Sequence, residues 1–482
     1  MAIVNQENLL IAEPRESSFR LRPEALGSAA FRQAHRVSYA YVAGAMYRGI
    51  ASADLVIRLG QANMLAFLGT GGLWLDQIEQ DILKIKLRLN RGQPFGMNLL
   101  CNLVKPEMEE ATVDLYLRHA IEQIEAAAYS QVTPSLVRYR LQGLRALPDG
   151  RVSITNRVMA KVSRPEVAIQ FLEPAPERIL SKLLAAGKIT PEAAALARRV
   201  PMADDLCVEA DSAGHTDNGV AFAIMPAMLR LRDDSQARFR FAEPVRVGSA
   251  GGIGTPHAVA AAFILGADFV LTGSINQCTV EAGTSDLVKD LLAAMNVQDT
   301  EMAPAGDMFE IGAKVQVLSK GLFFPARANK LYELFRRHNS LDEIDPKTRE
   351  QIETRYFKRS FEDVYRETCE YFKKVAPEQI ERAEKNPKAK MALVFRWYFA
   401  YSSRLAQEGD AEGKLDFQIH CGPALGAFNQ WVKGTPLEDW RNRHADEIAK
   451  MLMDGAASLL TERFRELYGL PRPSESGEPG GR

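Results

Sequence analysis

Residues 248–274 read GSAGGIGTPHAVAAAFILGADFVLTGS, and the reading of this stretch decides the fold. A glycine loop feeds a helix, and a buried strand follows that ends in a second loop of small residues. Such a layout suits an anion, held either in the dinucleotide crevice of a doubly wound sheet or in the phosphate cup of a barrel. A dinucleotide fingerprint needs G-x-G-x-x-G and an acidic residue about 20 positions further on. Here the glycines fall at Gly248, Gly251, Gly252 and Gly254, a spacing that never meets that pattern. The next strand ends Leu271-Thr272-Gly273-Ser274, with no acid at its tip. The loop also follows about six strand–helix units, late for a motif that opens its fold. In barrels the phosphate sits on the loops after the last two strands, where backbone N–H groups and a helix N-terminus converge. Thr255 is placed to cap that helix and Pro256 to open it. The barrel reading is the better one.

Further out, the same unit recurs. SYAYVAG, MLAFLGTGG, PFGMNLLCN, AAAYSQ, RVMAKVS, DLCVEADSAGH, VRVGSAGG and ADFVLTGS are short apolar runs ending in small or polar residues, nearly all followed by helical patterns. ERILSKLLAAGKITPEAAALARR adds a helical insertion after the fifth run. Strands alternating with helices imply a parallel sheet with crossover helices. Eight such units over roughly 240 residues match a closed (β/α)8 TIM barrel. A doubly wound sheet is the alternative, because periodicity does not give strand order.

Beyond Ser274 the character changes. DLVKDLLAAM, ANKLYELFRRHNS, SFEDVYRETCEYFKKV, MALVFRWYFAYSSRLA and EIAKMLMDGAASLLTERFREL all carry helical periodicity. The expected organisation is a barrel over 1–283, an appended C-terminal helical subdomain over 284–470 lying on the catalytic face, and a disordered tail over 471–482, rich in Pro, Gly and Ser.

Composition narrows the function. A 482-residue chain with 46% hydrophobic and 25% charged residues is globular. A net charge of −1 supplies no positive field for nucleic acid. Five cysteines without a C-x-x-C pair suit reduced thiols in a cytosol better than disulfides or zinc. The N-terminus lacks a signal-peptide pattern, and no apolar run is long enough to span a bilayer. A cytoplasmic protein is expected.

The quoted residues also carry a resemblance. GGIGTP followed by GADFVLTGS, with EADSAGHTDNG upstream, resembles the FMN-dependent barrels that include nitronate monooxygenases and flavin-type enoyl reductases. It is most similar to the PfaD family, the trans-acting enoyl reductases of polyketide and polyunsaturated fatty acid synthases. FLGTGGLW, PFGMNLL, RVMAKVSRPEVA, VPMADDLCVEADSAGHTDNG, GDMFEIGAKVQVLSKGLFFPARANKLYELF and DFQIHCGPALGAFNQWVKG carry it through most of the chain. The helical segment discriminates, since nitronate monooxygenases generally lack it.

The resemblance implies FMN with its phosphate at Gly251, Gly252, Gly273 and Ser274, and Ala43, Gly44 and Ala45 against the isoalloxazine. Asn98 becomes a partner for the ring edge or ribityl chain. Gln131 and Lys161 fall at other strand ends, where barrel active-site residues gather. A lysine there would stabilise negative charge on the reduced ring. His215, in the turn D-S-A-G-H-T-D-N-G, matches the family's active-site histidine and is the expected catalytic residue beside Lys161. His257 reads as structural, His420 in QIHCGPA is left open, and His35, His119, His338 and His444 carry no functional claim.

The implied reaction takes hydride from NADPH through FMN to the β-carbon of an enoyl thioester on an acyl carrier protein, with His215 or a water it holds as proton donor. The choice between NADPH and NADH stays open, as does a homodimer. Two rivals remain: a nitronate monooxygenase-type FMN oxidase, and a non-catalytic docking subunit. In the latter, Arg336-Arg337 and Lys358-Arg359 would meet an acidic carrier protein.

Overall fold

The computed structural model describes residues 19–470, and its first half closes into a parallel barrel. Its strands are β1 (Tyr41–Ala43), β2 (Leu65–Leu68), β3 (Gly96–Leu100), β4 (Gln123–Ala127), β5 (Arg157–Val162), β6 (Asp205–Glu209), β7 (Arg246–Ala250) and β8 (Val270–Thr272). Each pairs with its neighbour in sequence, and β1 closes on β8 with Tyr41 opposite Val270. Seven of the expected runs coincide with barrel strands; the fourth, AAAYSQ, overlaps its strand only at Ala126 and Ala127, because that strand starts three residues earlier at Gln123. Among the described residues no helix is long and apolar enough to cross a membrane.

The crossover helices start where the sequence signals them. Ser52, Thr133 and Thr255 cap their helices by accepting the N–H of Leu55, Leu136 and Ala258. Pro106, Pro134, Pro165 and Pro256 open helices where a missing N–H removes no intrahelical bond.

Alternate residues of each strand point into the barrel, and their chemistry is layered. At the N-terminal end Asp205 is fully buried between Arg246, at 2.6 Å, and His35, at 2.7 Å, whose other ring nitrogen meets Gln123. Burial would raise the Asp205 carboxyl, but Arg246 and His35 outweigh it and hold it below the usual range. Above lies an apolar layer of Phe67, Met159, Cys207 and Phe269, into which Phe31 stacks. Gly248, read from sequence as part of the loop, lies within β7; a Cβ there would stand 2.4 Å from the Phe269 ring. The third layer, at the strands' C-terminal ends, is polar.

After β8 the chain leaves the barrel. Helices Phe324–Arg337, Phe361–Val375 and Pro387–Glu408 build a second core around Phe309, Phe335, Phe395 and Phe399, and the helix Pro377–Lys385 packs on the last two of these helices. The subdomain is not purely helical. Two antiparallel strands, β9 (Thr300–Pro304) and β10 (Lys314–Leu318), form a hairpin that the sequence reading missed. Alternation turns Val315 and Val317 into the second core and leaves Gln316 facing the barrel. The two-residue strand Gly214–His215, from the loop after β6, joins this hairpin as its third strand.

The final helix, Ala445–Leu467, returns to the barrel. It packs between the helices Pro256–Ile264 and Ala53–Gln61 and shares the barrel's core through Ile448, Leu452, Met453 and Ala456. Arg58 fixes its start through Asp446 at 2.6 Å. It occupies the place of the barrel's eighth outer helix. The two cores thus divide the chain differently from the expected boundary at 283/284: the intervening segment is inserted between β8 and its helix. The expected tail over 471–482 lies outside the described residues.

Candidate active site

The barrel's C-terminal mouth gathers the polar layer. Asn98 on β3 donates its amide to the Glu125 carbonyl at 3.0 Å and to Glu125 Oε2 at 3.3 Å. The same oxygen accepts the Ala45 N–H at 3.2 Å. Glu125 Oε1 is buried with no partner among the described residues, beneath Gly44, where a Cβ would stand 3.3 Å from it. Lys161, inward on β5, pairs with Glu209 on β6 at 3.3 Å. Burial works against the Lys161 ammonium, but Glu209 and Glu125 outweigh it and hold its pKa above the ordinary lysine range. Burial pushes the Glu125 carboxyl up; Lys161 opposes the rise and Glu209 adds to it. Two carboxyls thus share one ammonium, and Glu125 is the more deeply buried of the two.

The glycine loop after β7 forms the adjoining wall. Gly251 has φ +84°, and a Cβ there would lie 2.7 Å from the Asp211 carbonyl, so only glycine fits against the loop after β6. Gly252 and Gly273 face open space, with nothing within 4 Å of a Cβ position. The start of the helix Pro256–Ile264 and its Thr255 cap stand behind them. Ser274 is buried, and its hydroxyl accepts the Gly422 N–H at 3.0 Å, so the segment returning from the insertion closes over this loop.

The loop after β6 carries His215 and is pinned on both sides. Asp217 accepts from Ser163 and from Arg164 at the end of β5. Asp211 and the Ser212 carbonyl accept the Gln316 amide at 2.7 and 2.8 Å. His215 Nε2 lies 3.0 Å from Asp307 Oδ1, and nearly half of the His215 side chain is exposed. The Asp307 hydrogen bond raises the His215 pKa, with burial opposing it. His420, left open from the sequence, stands under this loop, and burial and the His215 charge push it down to about 4.

The remaining expected residues are placed less directly. The Ala43 side chain packs in the core between barrel and helices, so only its backbone faces the mouth. Gln131 is exposed in the loop after β4, and among the described residues no hydrogen bond ties its side chain to the mouth. His257 is exposed in the first turn of its helix.

Residues 29–309 match the family model described as Nitronate monooxygenase. Residues 338–417 match a second one, "[Acyl-carrier-protein] S-malonyltransferase, inserted helical domain". The enoyl reductase domain of MlnA, from the macrolactin biosynthesis cluster of Bacillus amyloliquefaciens, is 46% identical, with a TM-score of 0.89 over 92% of this chain and 99% of that one. The chain belongs to the nitronate monooxygenase family, in its PfaD-type enoyl reductase group. The polyketide biosynthesis protein PksE of Bacillus subtilis (strain 168) is 57% identical over 95% of this chain. A polyunsaturated fatty acid synthase component of Thraustochytrium sp. is 45% identical over 86% of it. The chain spans 59% of the length of the first and 28% of the second.

In this PfaD-type barrel Lys161 and the glycine loop, both named from the sequence, lie at the mouth, together with Glu125, Glu209 and Asp307, which the sequence reading did not name. A signal existed for the first two. QIEAA and DLCVE place acids at the inward positions of strands that otherwise read as apolar. No comparable signal marks Asp307, which reaches His215 from 92 positions away.

Proposed function

We propose that this chain is a trans-acting enoyl-[acyl carrier protein] reductase, using NAD(P)H and FMN to saturate the α,β-double bond of carrier-bound enoyl thioesters in polyketide or polyunsaturated fatty acid synthesis. One observation carries the reading: a single barrel mouth combines an open glycine cup, a partly buried ammonium and a histidine held by the inserted subdomain. The likeness to the MlnA enoyl reductase domain, which includes that insertion, favours it over nitronate oxidation.

The residues present fit FMN. Glu125 Oε1 is an orphaned buried polar atom beneath Gly44, and a ring lying there would give it a partner. The open backbone at Gly252 and Gly273, beside the Thr255-capped helix, suits a phosphate. In this reading Gly251, Gly252, Gly273 and Ser274 hold the phosphate, Gly44 and Ala45 back the ring, and Asn98 and Lys161 reach its edge. Bound FMN supplies hydride chemistry between NAD(P)H and the enoyl β-carbon.

The chain's own groups do the rest. Lys161, kept charged by the acids beside it, stabilises negative charge developing at the mouth in a setting where water screens it little. His215 delivers the proton that the α-carbon needs. The insertion shields the mouth, and Lys105 in the loop after β3 donates to the Val375 carbonyl at the end of an inserted helix.

Purified protein given an enoyl-carrier-protein substrate and each nucleotide should yield a product two hydrogens heavier. His215→Ala should keep its FMN and lose turnover by roughly a hundredfold. Full turnover in that variant would refute the histidine's role. Rapid nitronate-dependent oxygen uptake without enoyl reduction would replace the reading with the oxidase, and failure to take up FMN would leave a docking protein.

A further inference from the structure

His215 is attached to the inserted subdomain through backbone and side chain alike. Its strand pairs with β10, His215 opposite Val315 and Gly214 opposite Gln316. Its Nε2 meets Asp307 Oδ1 at 3.0 Å. Asp307 lies in the turn between β9 and β10, and that turn is itself anchored. The preceding Gly306 accepts from Arg396 Nε at 3.0 Å and packs so closely on Phe399 that a Cβ would stand 2.6 Å from the Phe399 Cβ. Ring and carboxylate therefore ride on one hairpin, built on the subdomain's long helix Pro387–Glu408.

The other groups facing His215 do not compete for this bond. Glu209 acts on it only at longer range. The His420 ring lies under Gly214, 3.3 Å from where a Cβ would be, and its Nε2 meets the Gln418 amide at 2.8 Å. That amide donates, so His420 stays neutral and leaves Asp307 to His215. His215 Nδ1 has no hydrogen-bond partner among the described residues.

We propose that Asp307, carried by the inserted subdomain, is the positioning residue for His215: it accepts the Nε2–H and thereby leaves Nδ1–H as the proton-delivering group. The proposal rests on the enoyl reductase reading for the identity of the proton acceptor. In that reaction, hydride originating from NAD(P)H forms the β-carbon C–H bond. The π electrons of the double bond then take the Nδ1 proton at the α-carbon, breaking N–H and forming C–H. The ring is left neutral with its remaining proton on Nε2, still shared with Asp307, and water restores Nδ1–H. An aspartate that fixes the tautomer of a catalytic imidazole acts in this manner in hydrolases, through the opposite nitrogen.

The test compares wild type, Asp307→Asn and Asp307→Glu, each labelled with 15N-histidine, without substrate. In wild type the neutral His215 ring should carry its proton on Nε2. Asp307→Asn should lower the titration midpoint and mix the tautomers, and Asp307→Glu should restore both. With an enoyl thioester, kcat of Asp307→Asn should fall roughly tenfold to a hundredfold while KM for NAD(P)H stays within about twofold. An unchanged midpoint and tautomer in Asp307→Asn would overturn the proposal, as would a shifted midpoint with kcat intact. Because the NMR arm needs no substrate, a wild type with the Nε2–H ring but no enoyl reduction upholds the positioning and refutes the reaction.

Discussion

Glu125 joins complete burial to a carboxyl oxygen that meets no donor among the described residues, which leaves this group in the barrel mouth incomplete. Its pKa is raised in the folded protein, so its contribution to stability is full below the ordinary glutamate range and is lost as pH rises through the folded value. Glutamine has the same shape, can accept the Ala45 N–H, and never ionises. Glu125→Gln should therefore match wild type in denaturant at pH 4 to 5 and gain on it as the pH rises above that range. A difference that stays constant over that rise would show that Glu125 is already ionised in the fold. The sequence reading did not place Glu125 in a strand at all, because the fourth run, AAAYSQ, starts one residue after it. Its burial follows from closure, which turns that side chain towards Lys161 and away from water.

Among the elements, the helix Ala445–Leu467 shows most plainly where sequence reasoning stops. Its periodicity marks it as a helix with one apolar face, yet nothing local states which core that face joins. The answer lies in partners nearly 200 positions earlier. Gly455 approaches Pro256 so closely that a Cβ would stand 2.6 Å from the proline Cγ, and Leu452 is fully buried against the barrel. Leu452→Ala should cost about 2–5 kcal/mol in an unfolding titration. Gly455→Val should displace Pro256, the first residue of the helix after the glycine loop, and lower FMN retention as read by visible absorbance. Full retention would disconnect this helix from the cup. The glycine loop was legible because its reasons are local: capping, an opening proline and spacing. The β9–β10 hairpin was not, since KVQVL alternates over too few residues to stand out between helices. What stabilises it is Val315 and Val317 in one core and Gln316 on the other side.

At the scale of the molecule, the two hydrophobic cores meet at a seam where Gln316 pairs with Asp211 and His215 with Asp307. They also share an element: the helix Pro387–Glu408 contributes Phe395 and Phe399 to the second core and Leu405 and Ala406 to that of the barrel. A shared apolar element couples two units more tightly than polar links alone. Thermal unfolding should therefore show one transition by calorimetry, and added FMN should raise it as a whole. Two transitions, with only one of them moved by FMN, would show that the shared helix does not hold the units together.

The placement of the last barrel helix also bears on how the protein is made. A ribosome releases the eight strands long before residues 445–467, and the inserted subdomain emerges between them. Until that helix appears, the barrel's outer ring has a gap between the helices after β1 and β7, with Pro256 and the Arg58 side of the other helix uncovered. The subdomain, whose core is contained within 303–399, can mature during that interval. Nascent chains arrested before residue 445 should bind a general chaperone through the barrel half, and extension past 467 should release them.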